Sequence, residues 1–233
     1  MSRELILRGL DFVYMEGGPV RLGTDRPLPC RLEGHRRNET PVRETRVGPF
    51  WMARCCVTNA EFERYRPQFR RPATSPRDRQ PVTDVTYLEA VRYAEWLSRR
   101  MGVAFDLPTE AQWTWAAAPF GLEFPWGDQP DIARAHVRGE GVDGPLDAGD
   151  EACGRNWRGL VHAVGNVQQM VRGTAYAPGT NGAVCDGMYC ITKGGDWRHC
   201  PFSAGVARRG IMDVAARVPT VGFRLVSDEQ GDT

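Results

Sequence analysis

The strongest constraint on this chain lies near its C-terminus, where KGGDW (193–197) and GFRLV (222–226) bracket 24 residues with little helical or strand periodicity. Paired glycines ahead of an aromatic suit a strand that starts where two backbones pass close together. Phe223 and Leu225 alternate with polar or small neighbours, the pattern of a half-buried closing strand. An ordered connection longer than about 15 residues, held at both ends, is more often a binding or active-site loop than a plain connector. The competing reading is a surface excursion that contacts nothing.

Residues 198–221 carry four arginines (Arg198, Arg208, Arg209 and Arg217) but a single carboxylate, Asp213. Guanidinium forks suit anionic or hydrogen-bonding partners, and aromatic and apolar side chains supply contact area. Candidate ligand-contacting residues are therefore Trp197, Arg198, His199, Phe202, Arg208, Ile211, Met212 and Asp213. Among them His199, Phe202, Arg208, Ile211 and Asp213 are expected to form one exposed patch.

Composition narrows the classes. A formal charge of +1 and a pI near 7.6 argue against nucleic acid as a partner, because such modules carry a strong basic excess. Lys193 is the only lysine, so the cationic surface is made of arginine. No stretch approaches the roughly 18 apolar residues of a membrane span. The N-terminal MSRELILRGLDFVYMEGG has no apolar run with a cleavage site, so a cytoplasmic location, or one inside a phage particle, is expected. The 7 cysteines form no CxxC pair. Cys185 and Cys190 have the spacing of a short bridged loop, but spacing alone leaves their pairing open. The 4 histidines show no HxH or HExxH pattern, so no local metal motif is present, and His199 reads as a contact residue.

In chain order, residues 5–22 read as strand, turn, strand, 25–44 as an exposed Pro- and Arg-rich loop, and 46–56 as a strand. Three helix starts carry the capping-box spacing, Thr58 with Glu61, Thr86 with Glu89, and Thr109 with Gln112. Ala90, Ala94, Leu97 and Met101 give the second helix its apolar stripe, and Gly102 is placed to end it. Residues 129–159 read as one long structured loop. With no repeat and no linker, residues 1–233 are expected to form one domain.

Six motifs, FWMARCCVTNAEF (50–62), LPTEAQWTWAA (107–117), FPWGD (124–128), GNVQQMV (165–171), KGGDW and GFRLV, fall in an order that resembles the formylglycine-generating-enzyme, or sulfatase-modifying-factor, family. The resemblance implies an α+β, C-type-lectin-like fold with small antiparallel sheets, two to three helices and much irregular loop. It also implies that the C-terminal stretch lines the ligand site, with Trp197 and Arg209 at positions the family holds nearly fixed beside the sheet.

Two departures bear on activity. Family oxidases hold copper through two thiolates at positions that are His199 and Ala204 here, so no copper site is expected. The family's structural calcium uses oxygen ligands at positions that are Gln169 and His162 here, so calcium is expected to bind weakly or not at all. No cofactor is therefore expected. Three functions remain. The first is a non-catalytic module binding a protein or surface ligand through residues 198–221, comparable with variable proteins diversified by retroelements in phage. The second is a copper- or non-haem-iron-dependent oxidase, and the third a degenerate structural or regulatory homologue. Retroelement diversification keeps the third codon base fixed, which excludes Lys, Glu, Gln, Met and Trp; residues 198–221 contain none of these except Met212.

Overall fold

The computed structural model describes residues 7, 9–25, 39–139, 141–173 and 187–228. Leu5, residues 26–38 of the first Pro-rich loop, Cys30, His35 and Cys185 lie outside the described residues, and with Cys185 the question of its pairing.

The three helices form where the capping boxes place them. They are α1 (Asn59–Tyr65), α2 (Tyr87–Met101) and α3 (Glu110–Ala117). In each, the threonine side chain accepts from the backbone of the residue three on, whose side chain accepts from the threonine backbone N–H. Two orphan donors per helix are thus satisfied locally. Gly102 closes α2 with φ 67°, a left-handed conformation that costs glycine no Cβ clash.

The strand–turn–strand reading of 5–22 changes, because Leu7 and Gly9 are helical and the first strand begins only at Phe12. Strands β1 (Phe12–Met15) and β2 (Gly18–Leu22) do not pair with each other. The expected strand at 46–56 is instead two, β3 (Arg43–Val47) and β4 (Phe50–Ala53), separated at Gly48 and Pro49. Strand β1 pairs antiparallel with β4, and β2 with β3. Gly17 makes the crossing between sheets possible, because a Cβ there would lie 2.3 Å from the Val47 carbonyl. The closing strand also splits. Val221–Gly222 (β8) joins one sheet and Val226–Asp228 (β9) another, and residues 221–227 are buried throughout rather than half-buried. Strand β9 pairs with β4, so β1, β4 and β9 tie the two ends of the described chain into one sheet.

The four-stranded sheet positions the site. Its order is β7 (Gly210–Asp213), β6 (Tyr189–Lys193), β5 (Gln168–Val171), β8, with β5 and β8 parallel and the other pairs antiparallel. Residues 198–221 are thus less irregular than expected, since they contain β7 and a short 3-10 turn at Pro201–Ala204. Strand alternation divides the sheet into two faces. On one, Met170, Cys190 and Met212 join the core that holds Phe62, Tyr93 and Phe223. On the other, Val171 and Ile191 pack with Trp113 of α3. A third cluster, around Phe50, Met52 and Trp115, lies between α3 and the terminal sheet.

Candidate ligand-binding site

Beyond Met170, Cys190 and Met212, the same sheet face continues as Gln168, Thr192 and Gly210, and there it is open. These three residues, with Glu39, Gly194, Gly195, His199, Phe202, Ser203, Arg208 and Arg209, line a cavity of about 200 Å³. Its shape depends on two glycines. A Cβ on Gly194, at φ 93°, would lie 3.1 Å from the Trp113 ring. One on Gly195, at φ 65°, would come within 2.8 Å of the Ser203 and Ala204 backbone. The KGGDW glycines thus let the 3-10 turn lie directly against the strand exit.

Below the cavity lies a closed cluster of charge. Lys193 and Glu110 are buried with Nζ 3.3 Å from Oε1, and Arg209 adds a two-pronged contact, Nη2 to Oε2 at 2.6 Å. Burial pushes the Glu110 carboxyl up, but the two cations more than offset it and hold it below the usual range. Burial likewise lowers Lys193, and Glu110 only partly restores it. A second group sits at the cavity wall. Arg208 spans buried Glu39 (2.6 Å) and Glu123 (3.3 Å). Burial raises Glu39 from its ordinary value, with Glu123 adding to the rise and Arg208 and Lys193 opposing it.

At the mouth, a relay of hydrogen bonds runs along the sheet edge. Thr192 donates to Gln168 Oε1 at 2.7 Å, and Gln168 Nε2 donates to Asp196 Oδ2 at 2.7 Å. The same Asp196 oxygen accepts from His199 Nδ1 at 2.7 Å. Asp196 is fully buried while the His199 side chain is 56% exposed. Burial would raise Asp196, but His199 and Gln168 hold its carboxyl below the usual range. The bond to Asp196 in turn raises His199. Because Nδ1 is committed to Asp196, His199 turns Nε2 away as its free hydrogen-bonding edge.

The eight sequence-derived candidates separate. His199, Phe202 and Arg208 converge on the cavity. Arg198 is exposed beside them with its guanidinium 5.6 Å from the Trp197 ring. Trp197 and Met212, also named as ligand-contacting candidates, are 7% and 6% exposed and packed as core. The five-residue patch is corrected. Ile211 lies opposite Ile191 and, by alternation, on the α3 side of the sheet. Asp213 is exposed opposite Tyr189, three residues or about 10 Å along the strand from Gly210. Strand β7, invisible as a period, puts Ile211 and Asp213 out of the cavity's reach.

Asp196, Gln168, Thr192 and Glu39 were not singled out from the sequence. Asp196 left a usable trace, a carboxylate three residues before His199 inside a glycine motif. Glu39 left none, since Arg208 stands 169 positions away.

The residues do not fit either metal of the resembling enzymes. At the thiolate positions, Ala204 is buried in the turn and His199 is tied to Asp196. Cys200 precedes the turn and does not line the cavity, and Cys190 is buried on β6. At the calcium position Gln169 is fully buried, and its Oε1 accepts from Trp113 Nε1 (2.8 Å) and Arg224 Nε (2.6 Å). Its Nε2 faces the His162 and Ala163 carbonyls at 3.1 and 3.4 Å. Arg224 also donates to the carbonyls of Val161 (3.0 Å) and His162 (2.9 Å). Carbonyls of the kind a hard cation needs are already engaged by N–H donors.

This chain belongs to the sulfatase-modifying-factor family: residues 4–229 match the Sulfatase-modifying factor enzyme 1-like domain. It is similar to a formylglycine-generating enzyme of Thermomonospora curvata, 28% identical over 229 residues, covering 71% of this chain and 71% of that protein. It is also similar to a hercynine oxygenase of Mycolicibacterium smegmatis, 27% identical over 249 residues and 81% of this chain. A serine/threonine-protein kinase pkn1 of Chlamydia pneumoniae is 25% identical over 94% of this chain. The chain spans 38% of that kinase's length and 54% of the oxygenase's. Among solved structures, PvdO of Pseudomonas aeruginosa superposes with a TM-score of 0.72 at 24% identity, covering 93% of this chain and 94% of that one. Treponema denticola variable protein 1 superposes equally well, TM-score 0.72 at 15% identity over the same 93% and 94%. Both likenesses show the fold. The relatives include enzymes and a variable protein, so function is argued from the site.

Proposed function

We propose that this chain is a non-catalytic recognition module that takes a ligand, free or carried on a receptor, into the cavity walled by His199, Phe202 and Arg208. The observation that carries the reading is that three side chains of one loop converge on a cavity whose floor is buried and charge-paired. Loop residues anchored this way lose less entropy on binding than those of a free loop. The two thiolate positions of the family oxidases offer one alanine and one committed histidine, which supports binding without turnover. Met212, the one residue of 198–221 outside the fixed-third-base codon set, lies in the core. That supports reading the exposed remainder as a surface open to retroelement diversification, and a template repeat in neighbouring DNA would test that part.

The test of the main reading is a thermal-shift screen of small polar compounds, peptides and glycans. Ligands should raise the melting temperature of the native protein but not of Phe202→Ala, since a ligand bound to the native state stabilises it. Ligands whose effect survives Phe202→Ala and His199→Ala would put the site elsewhere. Conversion of a CxPxR peptide to formylglycine that Cys200→Ser abolishes would overturn the non-catalytic reading in favour of the oxidase.

A further inference from the structure

We infer that the cavity selects a small zwitterion, with its cationic group on Glu39 and its anionic group on His199. The inference rests on the binding reading above and narrows the ligand to a chemical class.

Glu39 is 2% exposed and lines the cavity. Its Oε2 accepts from Arg208 Nη1 at 2.6 Å, while Oε1 has no hydrogen-bond partner among the described residues. Leaving a buried carboxylate oxygen without a donor costs its desolvation uncompensated. A ligand ammonium or N–H group supplies the missing donor. The two terminal nitrogens of Arg208 are engaged by Glu39 Oε2 and Glu123, and its Nε is left unpaired beside them among the described residues, so the wall holds an open acceptor and an open donor. The neighbouring positive charge of Arg209 is in turn matched by Glu110. Of the acids nearest the cavity, Glu110 is thus matched by two cations and Asp196 by its relay. Glu39, which lines the cavity, keeps one oxygen without a hydrogen-bond donor.

The other pole is His199. Asp196 accepts from Nδ1–H and raises His199, favouring the form in which the exposed Nε2–H is a donor at the mouth. A carboxylate fits that edge, and its charge complements both His199 and exposed Arg198. Between the poles Phe202 offers an apolar wall. The volume, about 200 Å³, is below the roughly 300–1,000 Å³ of drug-sized pockets and suits a molecule the size of one amino acid.

The experiment compares L-leucine with its two halves, 4-methylpentanoate and 3-methylbutylamine, by isothermal titration or ligand-observed NMR at pH 7. Leucine should bind at least tenfold more tightly than either half. Glu39→Gln should abolish the preference for leucine over the acid, and His199→Gln the preference for leucine over the amine. If Glu39→Gln does not fold, the His199→Gln arm decides by itself. Equal binding of leucine and its halves, or preferences untouched by the substitutions, overturns the inference. So does absence of leucine binding to the native protein. If in that case other ligands are still lost in Phe202→Ala, the recognition reading stands and only the zwitterion falls.

Discussion

Arg208 and Arg209 are neighbours in sequence and do opposite jobs. Arg209 turns under the sheet and closes a cluster with Glu110 and Lys193 that is almost wholly removed from water. Arg208 turns to the cavity wall and bridges Glu39 and Glu123, leaving one Glu39 oxygen without a donor. The floor is a closed electrostatic system, whereas the wall is an open one. A closed buried cluster fixes geometry and resists change, because removing one member strands the rest. An open wall can gain from a ligand what the fold has not supplied.

The comparison breaks most easily at the floor. Glu110→Ala removes the buried carboxylate that Lys193 and Arg209 share, and denaturant unfolding should show a loss of about 3–5 kcal/mol. A loss below about 1 kcal/mol would mean the floor is not closed.

The two histidines sharpen it by titrating with opposite sign. Burial, with His136 and Arg224 nearby and Asp150 opposing, lowers His162 from 6.5 to about 4. A base with a depressed folded pKa contributes stability that is complete above 6.5 and is lost as pH falls towards about 4. The integrated loss is about 3 kcal/mol, and it should be missing from acid-unfolding curves of His162→Gln. The exposed His199 has a raised pKa, so its contribution is present below 6.5 and is lost as pH rises through the folded value. The sign of the difference between His199→Gln and the native protein, followed across pH, checks this.

Gln169→Ala should cost about 1–3 kcal/mol for each donor it strands, those of Trp113 and Arg224. Because Gln169 and Arg224 already hold the carbonyls of residues 161–163, millimolar calcium should leave the melting temperature unchanged. A clear rise would show that a cation displaces them. At the rim the smallest effect is expected. Arg198→Ala should stay within about 0.5 kcal/mol of native, as exposed positions do. If it costs as much as Glu110→Ala, rim and floor are one structural unit.

What the sequence by itself determined is what is satisfied within three or four residues. Thr58, Thr86 and Thr109 announce their helices because each capping box closes on itself, and Gly102 ends α2 through its own φ. The ordered motifs likewise carried the family and its α+β fold. Only the tertiary structure decided the strands and the site, because their partners are distant. Whether a residue of β7 faces the core, α3 or the cavity depends on register against β6, and a shift of one residue would exchange Ile211 with Met212. Hence Met212 became core and Asp213 left the patch. Glu39 and Arg208 stand 169 positions apart, Glu110 and Arg209 99 apart, and no local pattern encodes such pairs. The charges that make a floor of one arginine and a wall of the next are brought together by folding alone.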